Sequence, residues 1–268
     1  MDRDHQISRI VLATGMIALG VLGIVYGDFA LQWQPVPASL PFRTALAYVA
    51  AIVMLAGGIA LLFRKTTAIA TRVLFAYLVL WVLLRASTIA AAPSVEATWL
   101  GVGEIVVLMT GGWVLFARYA DLPEGSWLRF ATGARGIRGA QLLFGVALIP
   151  IGLSHIVYIP QTAALVPAWL PDRTGWAYLT GAGQIAAGLG VLFSILPRVA
   201  AVAEASMLTL FTLLVWVPAV VAAPTTRLPW TALCMSWAIA ASAWVIAGSM
   251  PRAARPAVDE SVLTSRAT

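Results

Sequence analysis

Two ionisable residues of opposite charge interrupt apolar stretches of this sequence. Arg85 lies in the run Val73 to Ala92, and Glu104 lies in the run Ala97 to Ala117. If both runs are helices of one hairpin that turns near Ser94, both side chains lie roughly 14 Å below the turn and can pair, because a helix rises about 1.5 Å per residue. The pair either fixes the register of the two helices, or Arg85 holds an anionic or quinone-like ligand whose charge Glu104 tunes.

The second half of the chain carries a different polar set. Trp216 and Met235 stand at the positions that correspond to the charged pair, and the half instead contains His155 and Gln184. The two lie at different depths in their runs, which argues against a direct bond between them. His155 either takes part in proton transfer near neutral pH or is an interfacial histidine bonded to a hinge backbone.

Asp28 is the remaining acidic candidate. It either caps an outer hinge or pairs with Arg43, whose counterpart in the second half is Arg173. Glu204 is expected to pair with Arg198 or to extend its carboxyl group to the membrane interface. The candidate ligand-binding residues are therefore Arg85, Glu104, Asp28, His155, Gln184, Arg43 and Arg173.

The composition determines what kind of elements position these residues. Of 268 residues, 61% are hydrophobic and only 10% are charged, with a mean hydropathy of +0.91. A soluble domain carries about 25% charged residues, so most of this chain must face lipid or other membrane helices. The net charge of +6 does not indicate a nucleic-acid partner, because the basic residues lie in short loops between apolar runs.

Eight apolar runs are each near the length of about 20 residues that a helix needs to cross a bilayer. None shows the alternation of a membrane strand, so the sequence predicts an all-α integral membrane protein with eight transmembrane helices. The runs are Ile10 to Gly27, Thr44 to Phe63, Val73 to Ala92, Ala97 to Ala117, Gly139 to Tyr158, Thr174 to Leu196, Val199 to Val221 and Trp230 to Met250.

An internal repeat divides these runs into two sets of four. Val36 to Phe63 aligns without a gap with Val166 to Phe193, and 13 of 28 positions are identical. The sequence thus predicts a four-helix unit in residues 1–125, a second in 126–250, and a disordered cytoplasmic tail in 251–268. Because each unit has an even number of spans, both insert the same way up, as two parallel-repeat four-helix bundles.

A proline-rich hinge follows the first span of each unit. Prolines stop a helix and restrict the residue before them, and the hinge residues are Pro37, Pro41, Pro167, Trp169 and Pro171. Each hinge is either a lid over the outer end of its bundle or a tight hairpin with interface anchors. Asp172 is expected to start the sixth span, since an acid is favourable at the positive end of a helix.

The hinges carry the resemblance to a known family. The second copy contains Ser154-His155, Val166-Pro167-Ala168-Trp169-Leu170-Pro171, Tyr178, Gly181 and Gly188, and the weaker first copy contains Gly27-Asp28, Val36-Pro37, Leu40-Pro41, Tyr48 and Gly58. The chain resembles the DoxX/DoxX-like membrane protein superfamily, here as a tandem duplication. The resemblance implies the four-helix fold, and the family includes subunits associated with thiosulfate:quinone oxidoreductases.

Orientation follows from the basic residues. Thirteen of them lie on one side of the predicted spans and three on the other, which places both termini in the cytoplasm. We therefore expect a multi-pass protein of a bacterial or archaeal cytoplasmic membrane.

Three functions remain open at this level. The first is a quinone-linked or hydrophobic-substrate redox component, with a membrane or soluble redox subunit as partner and a quinone as the cofactor class. The second is a non-catalytic scaffold or a lipid or small-molecule binding protein, and the third is a small-molecule transporter. The single Cys234 excludes a dithiol pair within the chain, and no residue cluster has metal or haem spacing.

Overall fold

The protein is a bundle of helices, without a strand between residues 3 and 251. A computed structural model describes these residues, with side chains from residue 6 onward, so most of the expected tail lies outside the described part. The helices are α1 (Arg3–Tyr26), α2 (Arg43–Leu62), α3 (Thr67–Ala91), α4 (Glu96–Tyr119), α5 (Gly133–Val157), α6 (Ile159–Leu165), α7 (Arg173–Leu192), α8 (Pro197–Phe211), α9 (Val217–Ala222) and α10 (Arg227–Ser249). A 3₁₀ turn occupies Trp127–Ala131, and a π-helical turn, Thr212–Trp216, joins α8 to α9.

Seven of the described helical stretches are long and apolar enough to cross a membrane. They are Gln6–Tyr26, Arg43–Leu62, Thr67–Ala91, Glu96–Tyr119, Gly133–Val157, Pro197–Ala222 and Arg227–Ser249. The expected sixth span, α7, has the length of a span, but its threonines, glycines and glutamine keep it out of this set. Length and composition therefore support seven of the eight predicted crossings.

Glycines let α7 lie against α5 at backbone contact. A Cβ atom added at Gly152 would lie 2.5 Å from the Gly181 carbonyl oxygen, and one added at Gly188 would lie 2.6 Å from the Gly145 carbonyl oxygen. The paired numbers run in opposite directions, so the two helices are antiparallel over their shared length. Small residues at helix interfaces allow this approach in membrane bundles.

The helices α4 and α10 form the centre of the bundle and run parallel. They are the most enclosed spans, with 78% and 67% of their apolar windows buried. The first turns of α5 meet the end of α10, where Gln141 donates to the Ser249 hydroxyl at 3.0 Å. Beyond the other end of α5, the Tyr158 hydroxyl accepts from the Ala97 backbone N–H at 3.1 Å. Both α4 and α10 therefore point from that end towards the start of α5.

The proline hinges are surface features. Pro37, Pro41 and Pro171 are exposed, Pro167 is half-buried, and Trp169 is 70% exposed. The residues that enter the bundle lie upstream of the first hinge, between 29 and 34. In the first half of the chain, the segment turns inward before it reaches the hinge prolines, and the prolines themselves lie at the surface.

The predicted helix start at Asp172 is confirmed. Asp172 precedes α7 with a left-handed backbone (φ 46°), and its Oδ1 accepts from the Gly175 backbone N–H at 2.9 Å. A side-chain acceptor at this position satisfies one of the N–H groups that the first turn leaves unpaired.

Candidate functional site

A short stretch after α1, residues 27–34, folds into the bundle, and we refer to it as the inward segment. Asp28 anchors its start. Its Oδ1 accepts from the Phe29 backbone N–H at 2.8 Å and from the Arg43 guanidinium, while its Oδ2 accepts from Arg227 Nη1 at 2.8 Å. Asp28 thus caps the outer turn and pairs with Arg43, so the two alternatives left open by the sequence both occur.

Arg227 is the partner that the sequence analysis missed. It begins α10 and lies 199 residues from Asp28, so no local pattern indicates the contact. Its other amino group donates to the Phe29 carbonyl oxygen at 2.5 Å, and its guanidinium lies 5.2 Å from the Tyr26 ring centroid. The contact ties the end of α1 to the start of α10.

The Asp28 cluster carries one negative and two positive charges. Partial burial acts to raise the pKa of Asp28, but hydrogen bonds from Arg227, the Phe29 backbone and Arg43 outweigh it, so the pKa lies below its ordinary value of 3.8. The carboxylate is therefore ionised at neutral pH, and the cluster has a net charge of +1 at the outer end of the bundle.

The end of the inward segment is held by two further side chains. Gln34 Oε1 accepts from the Ala30 backbone N–H, and Gln34 Nε2 donates to the Tyr77 hydroxyl, both at 2.8 Å. Trp33 Nε1 donates to Glu104 Oε2 at 2.7 Å. Trp33, Gln34 and Tyr77 do not appear among the predicted site residues, because only the folded segment brings them to the helices.

Arg85 does not form the expected ion pair with Glu104. No guanidinium nitrogen lies within 4.0 Å of that carboxylate, although the two groups are near enough to interact electrostatically. The Arg85 guanidinium instead lies against Gly101, where an added Cβ atom would collide with it. Arg85 lies within about one helical turn of its predicted depth. It does not pair with the Glu104 carboxylate, which accepts a hydrogen bond from Trp33 instead.

Two small cavities lie beneath the inward segment. Both are lined by Leu19, Ala30, Gln34 and Met54, so they are neighbours, and α10 contributes Arg227 and Thr231 to one and Met235 to the other. The upper one reaches the Asp28 cluster and has a volume of about 10 Å³. The deeper one has a volume of about 20 Å³, which is room for about one water molecule.

The deeper cavity is mostly apolar, and its polar side chains are Trp33 and Gln34 of the inward segment and Tyr77 and Trp81 on α3. Trp81 is only 5% exposed, and its buried Nε1–H lies near the Tyr77 hydroxyl but forms no hydrogen bond of good geometry. The Tyr77 hydroxyl oxygen accepts from Gln34, which leaves its own proton to donate. Both side chains line this cavity. A buried donor without an acceptor costs about 1–3 kcal/mol, so this cavity favours an occupant with an acceptor oxygen.

In the second half of the chain, no hydrogen bond joins the predicted site residues to one another. His155 Nδ1 hydrogen-bonds the Thr180 hydroxyl at 2.9 Å, and its ring lies 5.7 Å from the Phe211 ring. Gln184 is buried deeper in the same helix pair and forms no hydrogen bond with His155. Arg173 is exposed at the start of α7. The seven predicted residues therefore form one direct pair, Asp28 with Arg43, and the other five are held by different partners or lie apart.

In the part of the chain that the structure describes, no group of three His, Cys, Asp or Glu side chains is placed to bind a metal ion. The helical, apolar architecture is that expected of an integral membrane protein. No protein-family model, curated protein or solved structure matches the chain. Its function must therefore be argued from the contacts described above.

Proposed function

We propose that the chain is a multi-pass membrane protein of eight spans, built from two four-helix units of the same orientation, as the DoxX resemblance implies. One contact that occurs twice supports the repeat. A Cβ atom added at Gly20 would lie 2.8 Å from the Ala51 carbonyl oxygen and 2.5 Å from the Leu55 nitrogen. One added at Gly152 would lie 2.5 Å from the carbonyl oxygen of residue 181 and 3.0 Å from the nitrogen of residue 185. The spacing between these corresponding positions is close to the spacing that aligns the two hinges.

Two further contacts support this arrangement. The helix α7 lies antiparallel to α5, which is a candidate span, and this pairing favours α7 as the remaining crossing. Gly111 in α4 contacts Ser242 in α10, and these positions correspond to each other in the repeat. A pseudo-two-fold axis along the membrane normal brings equivalent positions of parallel helices together in this way.

The distribution of basic residues supports cytoplasmic termini. Among the described side chains, the end of the bundle that holds the Asp28 cluster has Arg43, Arg173 and Arg227. The opposite end has Arg9, Arg64, Lys65, Arg72, Arg118, Arg129, Arg135, Arg138 and Arg198. Basic residues accumulate on the cytoplasmic side of membrane proteins, so the Asp28 end faces outward from a bacterial or archaeal cytoplasmic membrane.

Labelling of single cysteines tests this orientation. In a Cys234→Ser background, we expect a membrane-impermeant maleimide to label Ala168→Cys in intact cells. The same reagent should label Glu124→Cys only after the cells are permeabilised, because residue 124 lies at the basic end. Both positions are accessible at the protein surface, so accessibility within the protein does not separate them. Labelling of residue 124 in intact cells would reverse the orientation.

We further propose that the first unit binds a small hydrophobic molecule that carries an acceptor oxygen, with a quinone as the chemical class. The observation that carries this proposal is the Trp81 Nε1–H, which has no hydrogen bond of good geometry, beside the Tyr77 hydroxyl in a mostly apolar cavity that Trp33 and Gln34 also line. A quinone offers carbonyl oxygens to such donors and an apolar ring to the surrounding side chains. A quinone-linked role would place a membrane or soluble redox subunit beside this protein.

Entry of such a molecule requires movement, because the deeper cavity holds only about one water molecule. The inward segment is the element that can move. It has no regular helix, and its contacts with the helices include the Gln34–Tyr77 and Trp33–Glu104 hydrogen bonds. Its withdrawal would join the cavity to the outer end of the bundle and release the Trp33, Gln34 and Glu104 side chains for a ligand.

Lipid or small-molecule binding without catalysis is the second candidate, and a different observation favours it. The Asp28 cluster has a net positive charge at the outer end. Asp28 and Arg227 line the small cavity there together with apolar side chains such as Leu22 and Met54. A lipid or small molecule with an anionic head group and an apolar chain would place its head group at this positively charged cluster and its chain against the apolar side chains.

A binding measurement tests the quinone proposal. We expect organic extraction of the purified protein to yield quinone, and the Trp81→Phe variant to bind a short-chain ubiquinone analogue about tenfold more weakly, because one hydrogen bond of about 1.4 kcal/mol is lost. Trp99→Phe is the matched control, since this indole lies at the outer end and donates to the Pro93 carbonyl oxygen. Equal affinity of both variants, or extraction of lipid alone, would contradict the quinone proposal.

A further inference from the structure

The second unit contains a fully buried carboxyl group that the proposed function does not use. Glu204, in α8, is 0% exposed, and neither of its carboxylate oxygens has a hydrogen-bond partner. Gln184 of α7 lies beside it, 1% exposed, with its Oε1 also unpartnered. Three acceptor oxygens are therefore buried between two helices without a hydrogen bond of good geometry, although the Gln184 side chain is near enough to interact with the carboxyl group.

No basic side chain compensates this carboxyl group. The sequence analysis expected Glu204 to pair with Arg198 or to extend its carboxyl group to the membrane interface, and both expectations are wrong. Arg198 Nη1 donates to the Met250 carbonyl oxygen at 3.3 Å, and Glu204 is fully buried. None of the described basic side chains lies within 4.0 Å of Glu204. The titratable or charged groups on the helices packed against α8 are Arg173 and Tyr178 on α7 and Arg227 and Cys234 on α10.

These groups are engaged or placed elsewhere. Arg227 is bound to Asp28 at the outer end, and Arg173 and Tyr178 lie exposed in the first turns of α7. The Cys234 thiol is uncharged while it is protonated, so it cannot compensate the charge of the Glu204 carboxylate. An isolated carboxylate in such surroundings costs several kcal/mol, and a bound cation or proton would remove that cost.

We infer that Glu204 and Gln184 form a proton-binding site within the second unit. One proton binds a carboxylate oxygen of Glu204, the group becomes a neutral carboxylic acid, and its O–H donates to Gln184 Oε1. The other polar atoms need no rearrangement beyond the orientation of the Gln184 amide, whose oxygen and nitrogen are interchangeable by a flip. This inference does not depend on the quinone proposal.

The first unit indicates that helix packing alone does not require this pair. At the offset of 130 that aligns the two hinges, Gln184 corresponds to Met54 and Glu204 corresponds to Leu74, and both of these first-half side chains are buried. The same helix arrangement is thus built there from apolar side chains. A polar pair that is dispensable for packing and costly to bury is more readily explained by a bound proton than by the fold.

Carbodiimide labelling tests the site on the unmodified protein. Dicyclohexylcarbodiimide reacts with protonated carboxyl groups in apolar surroundings, and peptide mass spectrometry locates the adduct. We expect an adduct at Glu204 at pH 7, a labelling rate that falls about tenfold per pH unit once the group titrates, and no adduct at residue 204 in Glu204→Gln. Sodium ions at constant pH should leave the rate unchanged.

Infrared spectroscopy provides a second measurement. The carbonyl band of a protonated carboxylic acid should be present in the wild type at pH 7 and absent from Glu204→Gln. The double variant Gln184→Met/Glu204→Leu, which carries the residues found at the corresponding positions of the first half, should fold and lack both the band and the label. Absence of both signals from the wild type at neutral pH would overturn the inference, and protection by sodium ions would assign the site to a metal cation instead.

Discussion

Replacing Gly181 with alanine is expected to destabilise the protein by about 1–3 kcal/mol, the usual cost of overpacking. An added Cβ atom would lie 2.7 Å from the Gly152 carbonyl oxygen and 2.9 Å from the His155 Cβ atom. Neither neighbour can yield without moving α5 away from α7, because one is backbone and the other is fixed directly to it. Thermal unfolding of the purified protein in one detergent measures the loss.

Gly183 supplies the matched control for this substitution. It lies on the same helix, two residues further along, and an added Cβ atom would meet only Met207, at 3.8 Å. Gly183→Ala should therefore be neutral or stabilising by up to about 1 kcal/mol, because alanine favours the helix. Equal destabilisation by the two substitutions would show that backbone contact does not hold α7 against α5.

Replacing Asp28 with asparagine is expected to cost about 2–3 kcal/mol, because Arg43 and Arg227 lose the ionised group that binds them both. Arg227→Gln should also destabilise the protein, and the double variant should lose less than the sum of the two, because the groups share one interaction. Arg173→Gln is the control, since this counterpart of Arg43 is exposed. Its effect should stay within about 0.5 kcal/mol.

The same cluster has a pH signature. The pKa of Asp28 is lower in the folded protein than its ordinary value of 3.8, so its contribution to stability is fully present above that value. The contribution is lost as the pH falls through the lowered pKa of the folded state. Acid unfolding below about pH 4 should therefore be less steep for Asp28→Asn than for the wild type. Identical acid profiles, or strictly additive variants, would argue against this ion-pair cluster.

Local features of the sequence were enough to predict the helical class and several helix ends. The apolar runs place most of the spans, because a helix satisfies its own backbone hydrogen bonds whatever it packs against. Asp172 caps α7 as expected, and Asp28 finds Arg43, since both contacts join residues close together in the chain. Composition was not sufficient for α7, which is not apolar enough to be identified as a membrane-spanning helix.

The partners of the buried polar groups were decided by tertiary structure. Spacing within a hairpin predicts the depth of a side chain but not the direction in which its helix faces, so Glu104 binds Trp33 rather than Arg85. Likewise the sequence shows that Glu204 is in a span, but only the packing of α8 on α7 places it against Gln184 without a cation. A buried polar group must find a partner wherever neighbouring helices supply one, and sequence distance carries no information about which helices are neighbours.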